Sequence, residues 1–385
     1  MMILGSAGPA LLLLVVSWFA WQGFRAVIEQ SDAALTGQVL DSNGFAAQYV
    51  SRTTANELEN RYQAVERVVS SDDLCRQLSE LLEEPEISEL LDKMSDLKLS
   101  EADLEPLWKR FREHPDRRRL QEIFSASIPP GMKPPHGVAS WFFCDPRGIS
   151  TLRVPESQTI GKNFAYRSYF NGGPRDRDPS WRPEPGEHVA DTHLSAVFRS
   201  QATHRWIVAV AAPLFDRSPE PRFLGVVALT VEVGRFAELQ GRDNQFAVLV
   251  DRREGDNKGV ILQHPLFDKL LAEQDKLPDR FKSYRVNSDD LPDVLSRQEH
   301  YADPLAADPE GAEYNRHWLA RMQSVHVRGA DTGWVVVVQE AYDTAIGSTL
   351  QALTTGLVRY GMIALLLVAM IMVALWGFVM RGVRG

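Results

Sequence analysis

Cysteine is rare in this sequence, and the charge balance is acidic. Among 385 residues there are two cysteines, Cys75 and Cys144, so a disulfide-rich scaffold is excluded, and the sequence leaves open whether the two pair. Asp and Glu number 51 against 42 Lys and Arg, which gives a formal charge of −9. A nucleic-acid-binding domain needs a clustered basic excess to neutralise phosphates, so we expect no nucleic-acid partner.

The sequence also lacks the short motifs of common catalytic and cofactor sites. No G-x-S-x-G, P-loop, H-E-x-x-H or G-x-G-x-x-G pattern occurs. Ser95 and Lys98 fit S-x-x-K, but they lie in an acidic helical stretch without companion motifs. His188 and His193 have no second ligand pair at a zinc spacing. We therefore predict a chain without enzymatic activity, without a cofactor and without a metal site.

Long apolar runs occur only near the two ends of the chain. Residues 2–24 and 360–380 are each uncharged and long enough to cross a hydrocarbon layer about 30 Å thick. The first run lacks the basic start and the small-residue cleavage site of a secretory signal, so an uncleaved anchor is favoured over a signal peptide. Arg381 and Arg384 follow the second run, and basic residues prefer the cytoplasmic side. These features predict a two-pass protein of the plasma (inner) membrane, with both termini cytoplasmic and the middle extracytoplasmic or periplasmic.

The segment after the first apolar run has the pattern of one long helix. Residues 25–70 contain no proline, and Leu58, Tyr62, Val65 and Val69 recur at the spacing of a single helix face. We predict a stalk that continues directly from the membrane-spanning helix. Its apolar stripe serves either a homodimer contact or packing against the chain's own sheets.

Residues 71–128 differ in composition from the stalk before them. They are acidic and rich in leucine, and Pro85, Pro106 and Pro115 interrupt them. Because proline ends or begins helices, this segment is predicted to be an insertion of short helices divided at the three prolines. Pro129, Pro130, Pro134 and Pro135 then mark a boundary.

Two copies of a strand pattern follow the insertion. Each begins with a hairpin and ends with two apolar strands, which favours antiparallel sheets. From residue 342 the chain reads as helix again and continues into the second apolar run. The predicted strands are 141–144, 149–154, 206–215 and 223–233 in the first copy, and 246–251, 259–263, 323–328 and 334–340 in the second.

Several segments, taken in order, resemble the double Cache sensor family, as found on membrane-bound bacterial Ser/Thr kinases and chemoreceptors. The resemblance implies an α+β fold, in which two PAS-like antiparallel-sheet modules are strung on a long N-terminal helix between two transmembrane helices. It also implies that a small-molecule ligand is held in the membrane-distal module. The segments are 161–172 (GKNFAYRSYFNG), 197–200 (VFRS), 206–216 (WIVAVAAPLFD), 224–229 (LGVVAL), 261–265 (ILQHP) and 333–340 (GWVVVVQE).

This resemblance and the composition together divide the chain into eight predicted parts. These are transmembrane helix 1–24, stalk helix 25–70, helical insertion 71–128, membrane-distal module 129–235, membrane-proximal module 236–342, connecting helix 343–359, transmembrane helix 360–380 and cytoplasmic stub 381–385.

The resemblance further implies a ligand site. Family members that bind amino acids hold the ligand carboxylate with an Arg-x-Trp-Tyr unit, and the ammonium with a Tyr-x-Asp pair and a later Asp. The corresponding positions are Arg167, Tyr169 and Phe170 for the first unit, and Phe198, Ser200 and Thr230 for the others. Both carboxylates are missing, and each charge-assisted hydrogen bond lost is worth about 1.5–3 kcal/mol. We therefore expect a small organic acid or another polar metabolite rather than a typical amino acid.

Arg167 is a candidate ligand contact on chemical grounds as well. Tyr166, Tyr169 and Phe170 lie beside it in the sequence. A guanidinium can hold a planar carboxylate with two parallel hydrogen bonds, while aromatic rings cover the rest of the ligand. The alternative is that Arg167 pairs with a neighbouring acid or extends into solvent.

The leading hypothesis is a transmembrane sensor, in which ligand binding shifts the populations of two states and the stalk helices carry the change across the membrane. Two other functions stay open: an adhesion or scaffold module, and an anchored enzyme of unknown reaction. Only five residues follow the second apolar run, too few for a kinase or cyclase. We expect the output to come from a longer product or from partner proteins.

Overall fold

The structure is a computed structural model that describes residues 2–134, 139–199, 204, 206–236, 244–274, 276–287 and 295–382. One helix, α1 (Met2–Val69), runs from the first apolar segment to the far end of the molecule. At 1.5 Å per residue such a helix is about 100 Å long, so it links the membrane-spanning end to both sheets.

The apolar stripe of α1 packs against the chain's own sheets. Leu58 and Val65 are fully buried, and Tyr62 and Val69 pack against the same core. The stripe therefore serves intramolecular packing and is not available as a dimer contact.

Four short helices follow α1 and cover one side of the first sheet. Their bounds are α2 (Asp72–Glu83), α3 (Pro85–Met94), α4 (Glu101–Glu113) and α5 (Pro115–Ser127). Pro85 and Pro115 begin α3 and α5, but Pro106 lies inside α4, so the expected division at that residue is wrong. The break lies earlier because Ser100 and Asp103 form a capping box that begins α4.

The first sheet is antiparallel, with the strand order β2-β1-β6-β5-β3 and with β4 also paired to β5. Buried alternate residues of its strands face α1 and the short helices, among them Trp141, Val210 and Leu229. The strands are β1 (Ser140–Cys144), β2 (Ser150–Val154), β3 (His193–Leu194), β4 (Phe198–Arg199), β5 (Trp206–Phe215) and β6 (Phe223–Glu232), and a short helix, α6 (Ser168–Asn171), lies between β2 and β3.

The second sheet repeats this layout, with the order β8-β7-β11-β10-β9. Sequence periodicity misses β9, because its residues are mostly polar, and it begins β10 at residue 323 instead of Trp318. The elements are β7 (Gln245–Asp251), β8 (Ile261–Gln263), α7 (Pro265–Glu273), β9 (Leu295–Tyr301), β10 (Trp318–Val327) and β11 (Ala330–Ala341).

A π-helical turn (Asp343–Gly347) connects β11 to the last helix, α8 (Ser348–Gly382). Below the second sheet, α1 and the turn before α8 pack together through Leu40 and Ile346, and the Tyr342 hydroxyl donates a hydrogen bond to Asp32 Oδ1 (2.7 Å). The apolar parts of α1 and α8 are long enough to cross a membrane and are exposed. Two antiparallel sheets on one long helix, with an apolar helix at each end, confirm the predicted α+β fold class.

The two cysteines do not form a disulfide bond. Cys75 and Cys144 are both free and buried, and the Cys75 thiol donates to the carbonyl oxygen of Phe215 (3.0 Å). The thiol of Cys75 thus contributes to the contact between α2 and the end of β5.

Candidate functional site

The face of the first sheet that is turned away from α1 carries most of the residues that the sequence singles out. Strand register places Arg153, Phe142 and Ala228 opposite one another on three neighbouring strands. Side chains two positions apart share a face, so Ser140 and Thr230, which pair across β1 and β6, form the next row of the same face. We call this surface the distal face.

Arg167 lies at the N-terminal end of α6, above the distal face. Its Cζ atom is 5.1 Å from the ring centroid of Tyr166 and 5.0 Å from that of Phe198. Its Nη1 atom donates to Asp176 Oδ2 (2.6 Å), while Asp176 Oδ1 accepts the backbone N–H of Ser168 (2.8 Å). Burial acts to lower the pKa of Arg167, but Asp176 and the nearby tyrosines outweigh it and raise the pKa. Arg167 is therefore a charged group with an acid partner already beside it.

Tyr169 and Phe170 have different environments. The ring of Tyr169 contacts Phe142 edge to face at 5.0 Å and lies 6.3 Å from the ring of Phe198. Phe170 is fully buried and packs edge to face on Phe223. Tyr169 is thus part of the ring cluster beside Arg167, whereas Phe170 belongs to the core beneath α6.

Thr230 lies on the distal face, and its hydroxyl is 2.7 Å from the hydroxyl of Ser140. Both residues are buried. Ser200 lies outside the described residues, so its predicted role stays a prediction. Of the seven residues predicted as ligand contacts, the structure brings Tyr166, Arg167, Tyr169 and Phe198 into one cluster and keeps Thr230 on the face beneath it.

Sequence reasoning missed two charged residues here. Arg153 is on β2 opposite Phe142. Its position on this face could have been predicted from the hairpin and from the two-residue alternation of side chains along a strand. Asp176 is in an irregular loop, where no periodic pattern indicates which side chains meet Arg167. Together the two arginines and one aspartate give the cluster a net charge of +1.

The segment that carries Phe198 is also bonded to the second sheet. The hairpin between β7 and β8 donates to this segment twice, and Arg199 pairs with a short helical turn beyond α7. The bonds are Arg253 Nη1 to Ser195 O (2.7 Å), Asn257 Nδ2 to Val197 O (3.0 Å) and Arg199 Nη1 to Asp279 Oδ1 (2.8 Å). We call residues 192–199 the junction segment.

The junction segment also contacts α1. The Thr192 hydroxyl donates to Glu66 Oε1 (2.7 Å), and Glu66 pairs with Arg328 at the β10–β11 turn (2.6 Å). These residues line a cleft of about 580 Å³ between the two modules. The junction segment is therefore in direct contact with both the stalk and the second module.

The corresponding face of the second sheet holds a closed polar network. His264 Nε2 lies 3.1 Å from Asp303 Oδ2, and His264 Nδ1 accepts the backbone N–H of Leu266 (3.0 Å), so the ring N–H points at Asp303. Gln339 donates to the same carboxylate. Burial acts to raise the pKa of Asp303, but the hydrogen bonds from His264, Gln339 and the backbone N–H of Leu305 outweigh it and lower the pKa. Tyr314 packs edge to face on His264 and helps to fill this face.

Within the described ranges, no group of three or more His, Cys, Asp or Glu side chains is placed to hold a metal ion. His188 stacks on Phe223 at 3.7 Å, and its Nδ1 atom is 2.8 Å from the carbonyl oxygen of Val189. His188 therefore has a structural role.

The arrangement on the distal face suits reversible binding of an anion, with aromatic rings to cover the rest of the bound molecule.

The family model of the Cache domain (dCache_1) matches residues 31–349, so the chain belongs to the Cache family of ligand-binding sensor domains. This confirms the resemblance on which the fold was predicted. Both sheets lie within the match. Two apolar helices flanking such a domain are consistent with a two-pass membrane protein.

Solved structures with similar chains include ligand-binding domains of three chemoreceptors. PctB of Pseudomonas aeruginosa PAO1 with L-Gln has 16% identity and a TM-score of 0.40, covering 82% of this chain and 98% of that one. PctC of the same organism with GABA has 15% identity and a TM-score of 0.39, covering 78% of this chain and 99% of that one. CtaA of Pseudomonas fluorescens with L-serine has 13% identity and a TM-score of 0.40, covering 80% of this chain and 99% of that one. No curated protein matches significantly.

Proposed function

We propose that the chain is an extracytoplasmic sensor for a small organic acid or a similarly compact anion, bound on the distal face. The observation that carries the proposal is the net positive charge of a cluster of aromatic rings around Arg167. One of the five guanidinium donors of Arg167 bonds to Asp176, which leaves donors for a ligand carboxylate. Tyr166 and Phe198 would cover the apolar part of the ligand.

Amino acids are the second candidate ligand class. The solved chemoreceptor domains named above carry amino acids or GABA, and Asp176 supplies a carboxylate near Arg167 that the sequence did not indicate. However, Asp176 already bonds to Arg167 and to the backbone of Ser168. An ammonium group would have to share or replace those bonds, so we favour the organic acid.

For transmission across the membrane, we propose that the junction segment moves with the distal face. It carries Phe198 on one side and bonds to α1 and to the β7–β8 hairpin on the other. A ligand that binds one arrangement more tightly than the other shifts their populations by that difference in affinity. The stalk and the Ile346 contact with α8 then pass a shift of about 1–2 Å towards the membrane.

The proposal includes a homodimer and a fixed orientation, with both termini cytoplasmic. The stripe at Leu58 is used within the chain, but Phe45 and Tyr49 are strongly exposed on another side of α1. They are four residues apart and share a helix face, so they offer a self-complementary apolar contact. The basic residues after the second span support the orientation.

Thermal unfolding of the full chain in detergent micelles, with a panel of small molecules, tests the sensor proposal. We expect stabilisation by one or more of acetate, lactate, pyruvate and succinate, because a ligand of the folded state at a hundred times its Kd adds about 2.7 kcal/mol. Stabilisation by L-alanine, L-glutamine or GABA alone would favour the second candidate. A protein that responds to none of them contradicts the sensor proposal.

A further inference from the structure

A second guanidinium, that of Arg153, lies on the distal face and supplies the net positive charge of the cluster, because Asp176 balances Arg167. Its Nη2 atom donates to the Ser140 hydroxyl (2.9 Å), and its Cζ atom is 5.6 Å from the ring centroid of Phe142. The Ser140 hydroxyl in turn meets that of Thr230. Arg153 therefore lies at one edge of the ring cluster, beside two hydroxyl groups.

Arg153 has no acid partner among the described residues. No Asp or Glu of the described part of the chain forms an ion pair with it, and burial, with no nearby carboxylate to oppose it, lowers the pKa of its guanidinium. By contrast, the buried Arg117 of the helical insertion pairs with Glu156, and Arg147 of the distal module pairs with Asp145 and Asp92. A partly buried cation with a single neutral acceptor has hydrogen-bond donors left to satisfy.

The backbone of Arg153 is held from outside the module by the helical insertion. Gln121 of α5 donates to the Arg153 carbonyl oxygen (2.8 Å) and accepts the Arg153 N–H (3.1 Å). Because β2 is an edge strand, these two bonds replace the missing neighbour strand at that residue. Arg117, itself fully buried, bonds to the same amide of Gln121 (3.3 Å). The position of Arg153 is thus fixed by the insertion rather than left to solvent.

The two arginines lie at opposite ends of one row of rings. Arg153 contacts Phe142, Phe142 contacts Tyr169, Tyr169 neighbours Phe198, and Phe198 contacts Arg167. Three rings between two cations suit a ligand with an anionic group at each end and a short connecting chain.

We infer that the ligand carries two anionic groups, of which Arg167 binds one and Arg153, with the hydroxyls of Ser140 and Thr230, binds the other. This inference rests on the proposed function and names its ligand class, a short dicarboxylate or a carboxylate with a second acidic group. An α-amino acid with an uncharged side chain lies outside this class, because it carries only one anionic group and its ammonium would face a cation at Arg153. A monocarboxylic acid leaves Arg153 without a charged partner.

The test compares a dianion with an isosteric monoanion on the full chain in detergent micelles. Succinate and its monoamide, succinamate, differ by one charge and have nearly the same shape. We expect succinate, glutarate or malonate to bind at least tenfold more tightly than the corresponding monoamide by calorimetry. Arg153→Gln removes that advantage and leaves the monoamide affinity unchanged, whereas Arg167→Gln weakens both acids. In the same assay, 3-phosphonopropanoate distinguishes a second carboxylate from a phosphorus-based acid.

The controls separate failure of this inference from failure of the proposed function. Arg153→Lys keeps the charge but not the planar guanidinium, so it should retain part of the preference for the dianion. Its melting temperature shows whether the protein still folds when Arg153 is replaced, independently of Arg153→Gln. If a monoamide binds as tightly as its diacid, and binding depends on Arg167, the two-anion inference is wrong while the proposed function stands. If neither acid binds and acetate, lactate and pyruvate give no thermal stabilisation, or if binding is indifferent to Arg167→Gln, the proposed function is wrong and the inference falls with it.

Discussion

The two sheet modules have the same strand order. They differ in how completely the charged side chains on the face turned away from α1 are paired. In the membrane-proximal module, the buried carboxylate of Asp303 is surrounded by His264 and Gln339, and aromatic rings fill the rest of the face. In the membrane-distal module, Arg153 has no acid partner in the described residues, and the partner of Arg167 comes from a partly exposed loop.

This difference is the basis for our proposal that the ligand binds to the distal module. The Asp303 carboxylate already accepts hydrogen bonds from His264, Gln339 and the backbone N–H of Leu305, so an added molecule would have to break existing bonds. An incompletely matched cation gains charge-assisted bonds when an anion arrives. We therefore propose a structural role for the membrane-proximal module and a ligand-binding role for the membrane-distal module.

The largest expected effect concerns the proximal network. Asp303→Ala removes the carboxylate that satisfies both His264 and Gln339, so we expect a loss of about 3 kcal/mol in the free energy of unfolding. Chemical denaturation of the full chain in micelles measures it. Glu313→Ala, which breaks an exposed pair with Lys269, is the matched control and should cost under about 1 kcal/mol. Equal losses for the two variants would contradict the closed network.

The next effect concerns the distal face. Arg167→Gln should weaken binding of the favoured organic acid by roughly 10- to 100-fold, because charge-assisted hydrogen bonds are worth about 1.5–3 kcal/mol. Isothermal titration calorimetry checks this. Arg175→Gln alters an exposed arginine of the neighbouring loop and should leave the affinity within about twofold. Equal weakening by both changes would mean a general effect of surface charge.

The modules also differ in their predicted response to pH. Burial raises the pKa of Asp145, at the turn between β1 and β2, to about 6. Since the folded pKa exceeds the unfolded one, its contribution to stability is full below about pH 4 and is lost as the pH rises through 6. Lowering the pH from 7 to 5 should therefore stabilise the distal module by about 1 kcal/mol. The lowered pKa of Asp303 gives the proximal network the opposite sign, and its contribution is lost only when the pH falls below the usual range of the group.

Hydrogen exchange of peptides from β1 and β2 at pH 5 and pH 7, corrected for the intrinsic rates, measures the Asp145 effect. In Asp145→Asn the gain at pH 5 should vanish. An unchanged difference in that variant would assign the pH dependence to another group.

The smallest effect is expected at the contact between the modules. Asn257→Ala removes one hydrogen bond to Val197 and should cost about 0.5–1 kcal/mol in stability. Ligand affinity should stay within about threefold of wild type, while the ligand-induced change in exchange at the β7–β8 hairpin becomes smaller. Asn315→Ala, at an exposed position in the same module, should leave that change intact. A full response in Asn257→Ala would exclude this contact from the transmission route.

Much of the fold was predictable because it depends on local patterns. The absence of proline in residues 25–70 and the stripe at Leu58 indicated α1, and hairpin turns and apolar runs indicated most strands. The strand β9 was not predicted, since an edge strand with polar residues on both faces has no hydrophobic alternation. A helix break was wrongly predicted at Pro106, because tertiary packing of α4 tolerates a proline that local propensity disfavours.

The candidate site was only half accessible from the sequence. Arg167 and its neighbouring rings are adjacent in the chain, so their proximity follows from the sequence alone. Asp176 and the bonds of the junction segment to Arg253 and Asn257 join residues from separate loops, and loop conformation has no periodicity to read. Arg153 was accessible in principle, because the predicted hairpin pairs it with Phe142.

Hydrogen–deuterium exchange of the wild-type full chain, with and without the organic acid that gives the largest thermal shift, tests the central claim most directly. We predict that the acid protects peptides from residues 140–154 and 164–177 of the distal module, with weaker protection at the β7–β8 hairpin. Peptides around His264 and Gln339 should exchange as they do without ligand. Protection centred on the proximal network, with none on the distal face, would contradict the account.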